Sequence, residues 1–160
     1  MEPAQSPISL REITADTVRA VTKLSVREDQ TRFVASNAMS LAQALFAPEA
    51  WYRAIYAGDE PVGFVMLYDE SLRLPPPVSP AVGVWRFMID SKHQRQGIGS
   101  AALTLIISNM RSKGLFKELE LSYLPDSGSP EPFYRQLGFI ATGRIDDGEI
   151  VMALPLGVGV

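Results

Sequence analysis

Cysteine is absent from the 160 residues. Its absence removes disulfides, thiol nucleophiles and cysteine–zinc centres together, and it fits a reducing cytoplasm. Long apolar runs are missing too. None approaches the ~18 residues of a membrane-spanning helix, so no membrane partner is expected. Residues 1–7 lack the basic start and apolar core of a signal peptide. No Gly-Lys-Ser/Thr triplet closes a glycine loop, which excludes a P-loop. Basic charge is not in excess: Lys and Arg number 15 against 18 Asp and Glu, a net charge of −3. That balance argues against a nucleic-acid partner and leaves room for a cationic substrate. No metal site is expected.

The composition that remains, 46% hydrophobic and 21% charged, is that of a folded globular chain. Its length suits one domain over residues 1–160, with residues 8–154 as the ordered core. No internal repeat is present.

The chain is organised around residues 84–103. An apolar strand ending at Phe87, Met88 and Ile89 passes through a polar connector to Gln94, Arg95, Gln96, Gly97, Ile98, Gly99 and Ser100, and a helix opens there. A strand that delivers the chain to a helix N-terminus makes an anion site, because the first turn carries unpaired N–H donors and partial positive charge. Gly97 and Gly99 would let a phosphate approach the backbone, and Gln94, Arg95 and Gln96 add donors.

Before this stretch, residues 8–13 alternate as a strand. Helices are predicted over residues 18–24, 28–34 and 37–46, the last with Asn37 as N-cap and Met39, Leu41, Ala42, Leu45 and Phe46 as its apolar face. Residues 51–56 and 62–68 read as a hairpin around Gly58-Asp59-Glu60-Pro61. Four prolines make residues 72–80 a stiff loop. After it, residues 81–89 form a central strand.

The helix following Gly99 carries a stripe of Ile98, Ala101, Ala102, Leu105, Ile106 and Met110 and closes at Lys113-Gly114. Leu119, Leu121 and Tyr123 alternate with Glu118, Glu120 and Ser122 as a strand, and strand–helix–strand of this length implies a parallel crossover. A short helix over residues 131–137 and a hairpin around Asp147-Gly148 finish the chain. The expected class is α+β (mixed α/β): about seven strands in a mixed, mostly antiparallel sheet with a central parallel β-α-β unit, flanked by about four helices.

Gly97-Ile98-Gly99-Ser100-Ala101-Ala102 fits the dinucleotide fingerprint G-x-G-x-x-A, and Glu118 or Glu120 lies at the distance where that motif places an acid. The context defeats it. Seven residues, Asp90 to Gln96, separate strand from first glycine, and too little chain follows for a doubly wound sheet. A glycine-rich helix start without a ligand is the plainer alternative, but three extra donors would then serve no purpose.

Two segments carry a resemblance. Gln94-x-x-Gly97-x-Gly99-Ser100-Ala101 after an apolar strand resembles the Q/R-x-x-G-x-G/A loop of the GCN5-related N-acetyltransferases (GNAT). Glu131-Pro132-Phe133-Tyr134-Arg135-Gln136-Leu137-Gly138-Phe139 resembles that family's F-Y-x-x-x-G-F ending. The resemblance covers roughly residues 51–154. It implies acetyl-CoA as cosubstrate, with its pyrophosphate on backbone N–H groups from Arg95 to Ser100. Its pantetheine would lie beside Phe87, Met88 and Ile89 as an added strand does. The family often has an asparagine where this chain has Ser127, which leaves a hydroxyl for that cofactor contact. The layout is most like bacterial spermine/spermidine acetyltransferases, and a homodimer is the family's usual state. Where diamine enzymes commonly carry an acidic pair, however, this sequence reads Trp85-Arg86.

Acetyl transfer from a thioester to an amine needs a neutral nucleophile, a stabilised oxyanion and a proton for the leaving thiolate. Without cysteine, direct attack in a ternary complex is the simpler course. By spacing alone Tyr134 is either a core aromatic or an acid; the resemblance assigns it the acid role. His93, the sole histidine, lies on the phosphate side and reads as a loop residue. For proton acceptance or substrate binding, Asp69 and Glu70 come first and Glu28 and Asp29 second, with Trp85 as a cation–π surface. Three function classes follow: a small-molecule amine acetyltransferase with a polyamine or diamine acceptor, a protein or peptide N-acetyltransferase, and a non-catalytic acetyl-CoA sensor.

Overall fold

The computed structural model describes residues 6–29, 35–125 and 128–157. Seven strands form one sheet: β1 (Ile8–Arg11), β2 (Ala50–Ala57), β3 (Glu60–Asp69), β4 (Val82–Ile89), β5 (Glu118–Tyr123), β6 (Ile140–Asp146) and β7 (Glu149–Pro155). Their order is β1-β2-β3-β4-β5-β7-β6. Every neighbouring pair is antiparallel except β4 and β5, the two strands joined by a helix. Among the described residues there are four α-helices: α1 (Val18–Lys23), α2 (Asn37–Ala44), α3 (Ile98–Lys113) and α4 (Glu131–Gln136). The α+β class, the parallel crossover and the strand count agree with the sequence reading. The helix expected over residues 28–34 falls mostly outside the described residues.

The sheet is covered on both sides. On one face Ile55, Val65, Leu67 and Leu121 pack with Ile106 and Met110 of α3 and with Tyr134 and Phe139. On the other, Phe64, Met66 and Met88 pack with Val21 of α1 and Leu41 of α2. Strand β3 lies between them, and residues 62–67 are buried throughout, as its continuous apolar run predicts. No helix among the described residues is long and apolar enough to cross a membrane.

Two helix faces depart from the sequence reading. In α2 the N-cap is Ser36, whose hydroxyl accepts from the N–H of Met39 at 3.1 Å. Asn37 lies one residue inside, buried, and its amide donates to the carbonyl of Val21 at 2.9 Å. The helix therefore turns polar Asn37 and Ser40 inward, and Met39, Leu45 and Phe46 are exposed. In α3 the buried stripe is Ile98, Ala102, Leu103, Ile106, Ile107 and Met110. Leu105 lies at its solvent edge, because the broad contact with the sheet takes up i+1 neighbours as well.

Candidate active site

The site opens where strand pairing stops. β4 and β5 are in register only at Val82↔Leu119 and Gly83↔Glu120. Beyond Gly83 they part, and residues 84–87 are only half-buried. The cause is local. Met66 pairs with Arg86 but Leu67 pairs with Val84, so Trp85 is an extra residue bulged out of the ladder. A bulge bends and twists its strand, here carrying the edge of β4 away from β5. It also places two consecutive side chains on one face. Trp85 packs toward α1 and α2, and Arg86 donates to Oε1 of Gln43 at 3.2 Å.

A cavity of about 860 Å³ fills the splay. Phe87, Met88 and Ile89 line it from β4, Leu121, Ser122 and Tyr123 from β5, and Phe133 and Tyr134 from α4. At one end stand Gln94, Arg95, Gly97, Ile98, Gly99 and Ser100. This loop is built by short-range chemistry. Asp90, buried, accepts from the N–H of Ser25 at 3.0 Å and of Lys92 at 3.4 Å, which fixes the turn Ser91–His93. Arg95 and Gly97 then take left-handed backbone angles, φ 62° and 78°. The N–H of Ala101 donates to the carbonyl of Gly97 at 3.1 Å, while Gly97 provides no side-chain cap. The N–H groups of Ile98, Gly99 and Ser100 therefore have no partner inside α3, which is the arrangement an anion needs.

The two glycines differ in their surroundings. Gly97 is required by its positive φ. At Gly99 a Cβ would meet Phe133 at 3.4 Å, Ile89 at 3.6 Å and Phe87 at 3.7 Å, ordinary van der Waals contact. Gly99 thus stands beside the aromatic wall of the cavity, in the first turn of α3. Gln94 lines the cavity, and its amide donates to the carbonyl of Ile89 at 3.1 Å. Gln96 faces a second hollow of about 400 Å³ that it shares with His93, and the imidazole Nε2 lies 3.4 Å from a carboxylate oxygen of Glu60. Ser127 lies outside the described residues.

Tyr134 stands between Phe133, at 5.5 Å between ring centroids, and Phe139, edge-on at 5.9 Å. Burial pushes its hydroxyl up to about 12 from an ordinary value of 10.0, so the phenol is neutral and able to donate at neutral pH. The hydroxyl has no hydrogen-bond partner among the described residues.

The acidic candidates read from the sequence are elsewhere. Asp69, 1% exposed, accepts from the N–H of Ser71 at 2.9 Å and faces the ammonium of Lys113 at 3.5 Å. Glu70 accepts from the N–H of Ala81 at 2.7 Å and pairs with Arg73 at 2.9 Å. Both belong to the closed end of β3 and β4, and neither lines the cavity. Asp29 pairs with Arg27 at 3.5 Å, and neither Glu28 nor Asp29 reaches the cavity wall, though Arg27 does. Of the candidates for the acceptor, only Trp85 lines it.

The residues missed by sequence reasoning lie on the α1/α2 face of the splay. Tyr68 lies flat against Gly83, where an added Cβ would come within 2.2 Å of its ring. Its hydroxyl donates to Glu120 at 3.1 Å, which raises its pKa beyond the effect of burial alone. Arg144 holds the same carboxylate through two hydrogen bonds. Burial lowers the pKa of the Arg86 guanidinium, and the charge of Glu149 opposes that shift. Glu149 itself lines the cavity. It follows the Asp147-Gly148 turn as the first residue of β7, and nothing local marks it.

Comparison with known proteins fits this arrangement. A sequence profile described as the Acetyltransferase (GNAT) family matches residues 17–139. A spermine/spermidine N(1)-acetyltransferase of Bacillus subtilis is 28% identical over 159 residues, covering 93% of this chain and 99% of that protein. The GNAT domain of S. lividans PAT superposes with a TM-score of 0.71 at 16% identity, over 94% of this chain and 90% of its own. A GNAT family acetyltransferase from Elizabethkingia anophelis with acetyl-CoA bound gives 0.63 at 18% identity, over 92% and 97%.

Proposed function

This chain belongs to the GNAT family of acetyltransferases, and from that premise we propose that it transfers the acetyl group of acetyl-CoA to a primary amine of a small molecule, with a polyamine or diamine as acceptor. Residues 8–154 act as one N-acetyltransferase domain in this reading. The observation that carries it is the convergence of three features on one cavity: uncapped N–H groups at α3, a β4 edge left open by the Trp85 bulge, and the unpartnered hydroxyl of Tyr134. These residues fit acetyl-CoA, which is the cosubstrate of the family.

Bound there, acetyl-CoA supplies an activated thioester. Backbone N–H groups of Ile98, Gly99 and Ser100, with Arg95 beside them, hold its pyrophosphate. The free edge of β4 takes an extended pantetheine as a strand. A backbone N–H near Met88 polarises the thioester carbonyl. Tyr134 gives a proton to the departing sulfur. The polyamine acceptor is supported by the name of the Bacillus subtilis relative and by the carboxylate of Glu149 in the cavity wall. A cytoplasmic location and a homodimer belong to the same proposal, supported by the lack of cysteine and by the family resemblance.

The test is thiol release from acetyl-CoA over a panel of polyamines, aminoglycosides, amino acids and peptides. Amine-dependent release with polyamines or diamines foremost is expected. Acetyl-CoA binding with no amine-dependent release would leave a sensor. Peptides turned over ahead of all small amines would move the acceptor to proteins, an outcome the proline-rich loop does not preclude, since residues 72–80 form no part of the cavity wall.

A further inference from the structure

Among the described residues that line the cavity, Glu149 is the one carboxylate. It begins β7, where Ile150, Met152 and Leu154 point into the core shared with α3. Alternation sends Glu149 to the opposite face, the one that carries Ser122, Trp85 and Arg86. The Ser122 hydroxyl donates to Oε2 of Glu149 at 3.4 Å. Its Oε1 has no partner among the described residues. The charge of Glu149 acts on Arg86, but no contact within ion-pair distance joins them, so the carboxylate is not consumed by a salt bridge.

Tyr134 comes to the same cavity from the α3/α4 face. An acid and a carboxylate thus approach the open edge of β4 from the two sides of the sheet. Transfer needs both groups at one reacting carbon, a base within reach of the attacking nitrogen and an acid within reach of the leaving sulfur.

We propose that Glu149 binds the acceptor amine and takes its proton. The inference rests on the acetyl-transfer reading above. An ammonium gives one proton to the Glu149 carboxylate, which passes it to solvent through the open mouth. The freed lone pair forms the C–N bond at the thioester carbon. The second nitrogen proton leaves by the same carboxylate as the C–S bond breaks. The sulfur receives a proton from Tyr134, which solvent restores, so one ammonium and one thioester give one amide, one thiol and one proton. Glu149 is the one carboxylate lining this face and Arg86 adds a positive charge beside it, so nothing here pairs with a second ammonium. Further cationic groups of the acceptor must stand away from the reacting nitrogen, as they do in a long-chain diamine.

The experiment is steady-state kinetics of the full chain with the best amine of the panel, on Glu149→Gln, Glu149→Asp and Ser122→Ala. Glu149→Gln is expected to lower kcat/KM for the amine about 100-fold near neutral pH, mostly through the amine's KM, with acetyl-CoA Kd and Tm unchanged. Its deficit should shrink as pH approaches the amine's own pKa near ~10, where free amine no longer needs Glu149 for its first proton. Glu149→Asp should recover part of the loss and Ser122→Ala should lose less than Glu149→Gln. Activity of Glu149→Gln within about threefold of the parent, or a deficit equal at every pH, overturns the assignment. A parent protein that acetylates no amine overturns the acetyl-transfer reading and this inference with it.

Discussion

The side-chain amide of Gln94 donates to the carbonyl oxygen of Ile89 at 3.1 Å. The bond ties the loop that precedes α3 to the last residue of β4. It sets the spacing between the phosphate end of the cofactor path and the strand edge where the thioester would lie. Gln94→Ala is expected to weaken acetyl-CoA binding about fivefold, in line with the net ~1 kcal/mol of one such hydrogen bond. Calorimetric titration with acetyl-CoA measures it, and an unchanged Kd would show that the loop is placed by Asp90 and the left-handed residues alone.

Tyr134→Phe separates chemistry from binding. The substitution keeps the ring against Phe133 and Phe139 and removes only the donor. Turnover should fall about 10- to 100-fold, the usual worth of a positioned acid. Acetyl-CoA affinity should stay within about twofold. Equal turnover would remove Tyr134 from the mechanism.

The same hydroxyl predicts an alkaline limit on stability. Its folded value of about 12 lies above its ordinary 10.0. The contribution is therefore complete below the unfolded value and is lost as pH rises through the folded one. Across that window this tyrosine should remove roughly 1.4 kcal/mol of unfolding free energy per pH unit. Urea unfolding between about pH 9 and about pH 11 tests it, since Tyr134→Phe should show a shallower decline than the parent.

Asp69 provides the opposite contrast, a buried acid outside the cavity. Asp69→Ala is expected to lower stability by about 1–3 kcal/mol, because the N–H of Ser71 and the Lys113 ammonium lose their partner. Its kcat/KM for amine and acetyl-CoA should remain within about threefold of the parent. A well-folded variant without activity would return Asp69 to the list of catalytic candidates.

Gly83 is fixed by its neighbour across the sheet. A Cβ there would meet the Tyr68 ring at 2.2 Å, so Gly83→Ala must displace the ring or bend β4. A loss of about 1–3 kcal/mol is expected by thermal unfolding. Tyr68→Phe, which keeps the ring and loses only the bond to Glu120, should lose less.

Much of this fold is written in local spacing. The ends of α3 follow from Gly97 and from Gly114, which takes φ 65° after a basic last turn. The alternation of Leu119, Leu121 and Tyr123 gives β5 its buried face, and Asp147-Gly148 marks the last hairpin. These signals act within a few residues, through backbone angles and the periods of helix and strand, so the sequence alone carries them. The glycine loop and Phe133-Tyr134 were legible for the same reason.

Other features depend on register between distant strands. Nothing near Trp85 announces a bulge; it arises because Met66 pairs with Arg86 and Leu67 with Val84. The apolar residues of α2 looked inward, yet Asn37 and Ser40 are the buried ones, since the helix is oriented by the bond from Asn37 to Val21 of α1. Asp69 and Glu70 end a central strand, but at the end where β4 and β5 still pair. Glu149 reaches the cavity only because β7 lies beside β5. The sequence by itself determined most of the elements and the glycine-containing loop ahead of α3, because each is a short-range property of the chain, while the acid role of Tyr134 came from the family resemblance. The tertiary structure alone decided which carboxylate lines the cavity, because cross-strand pairing joins residues that no local spacing relates.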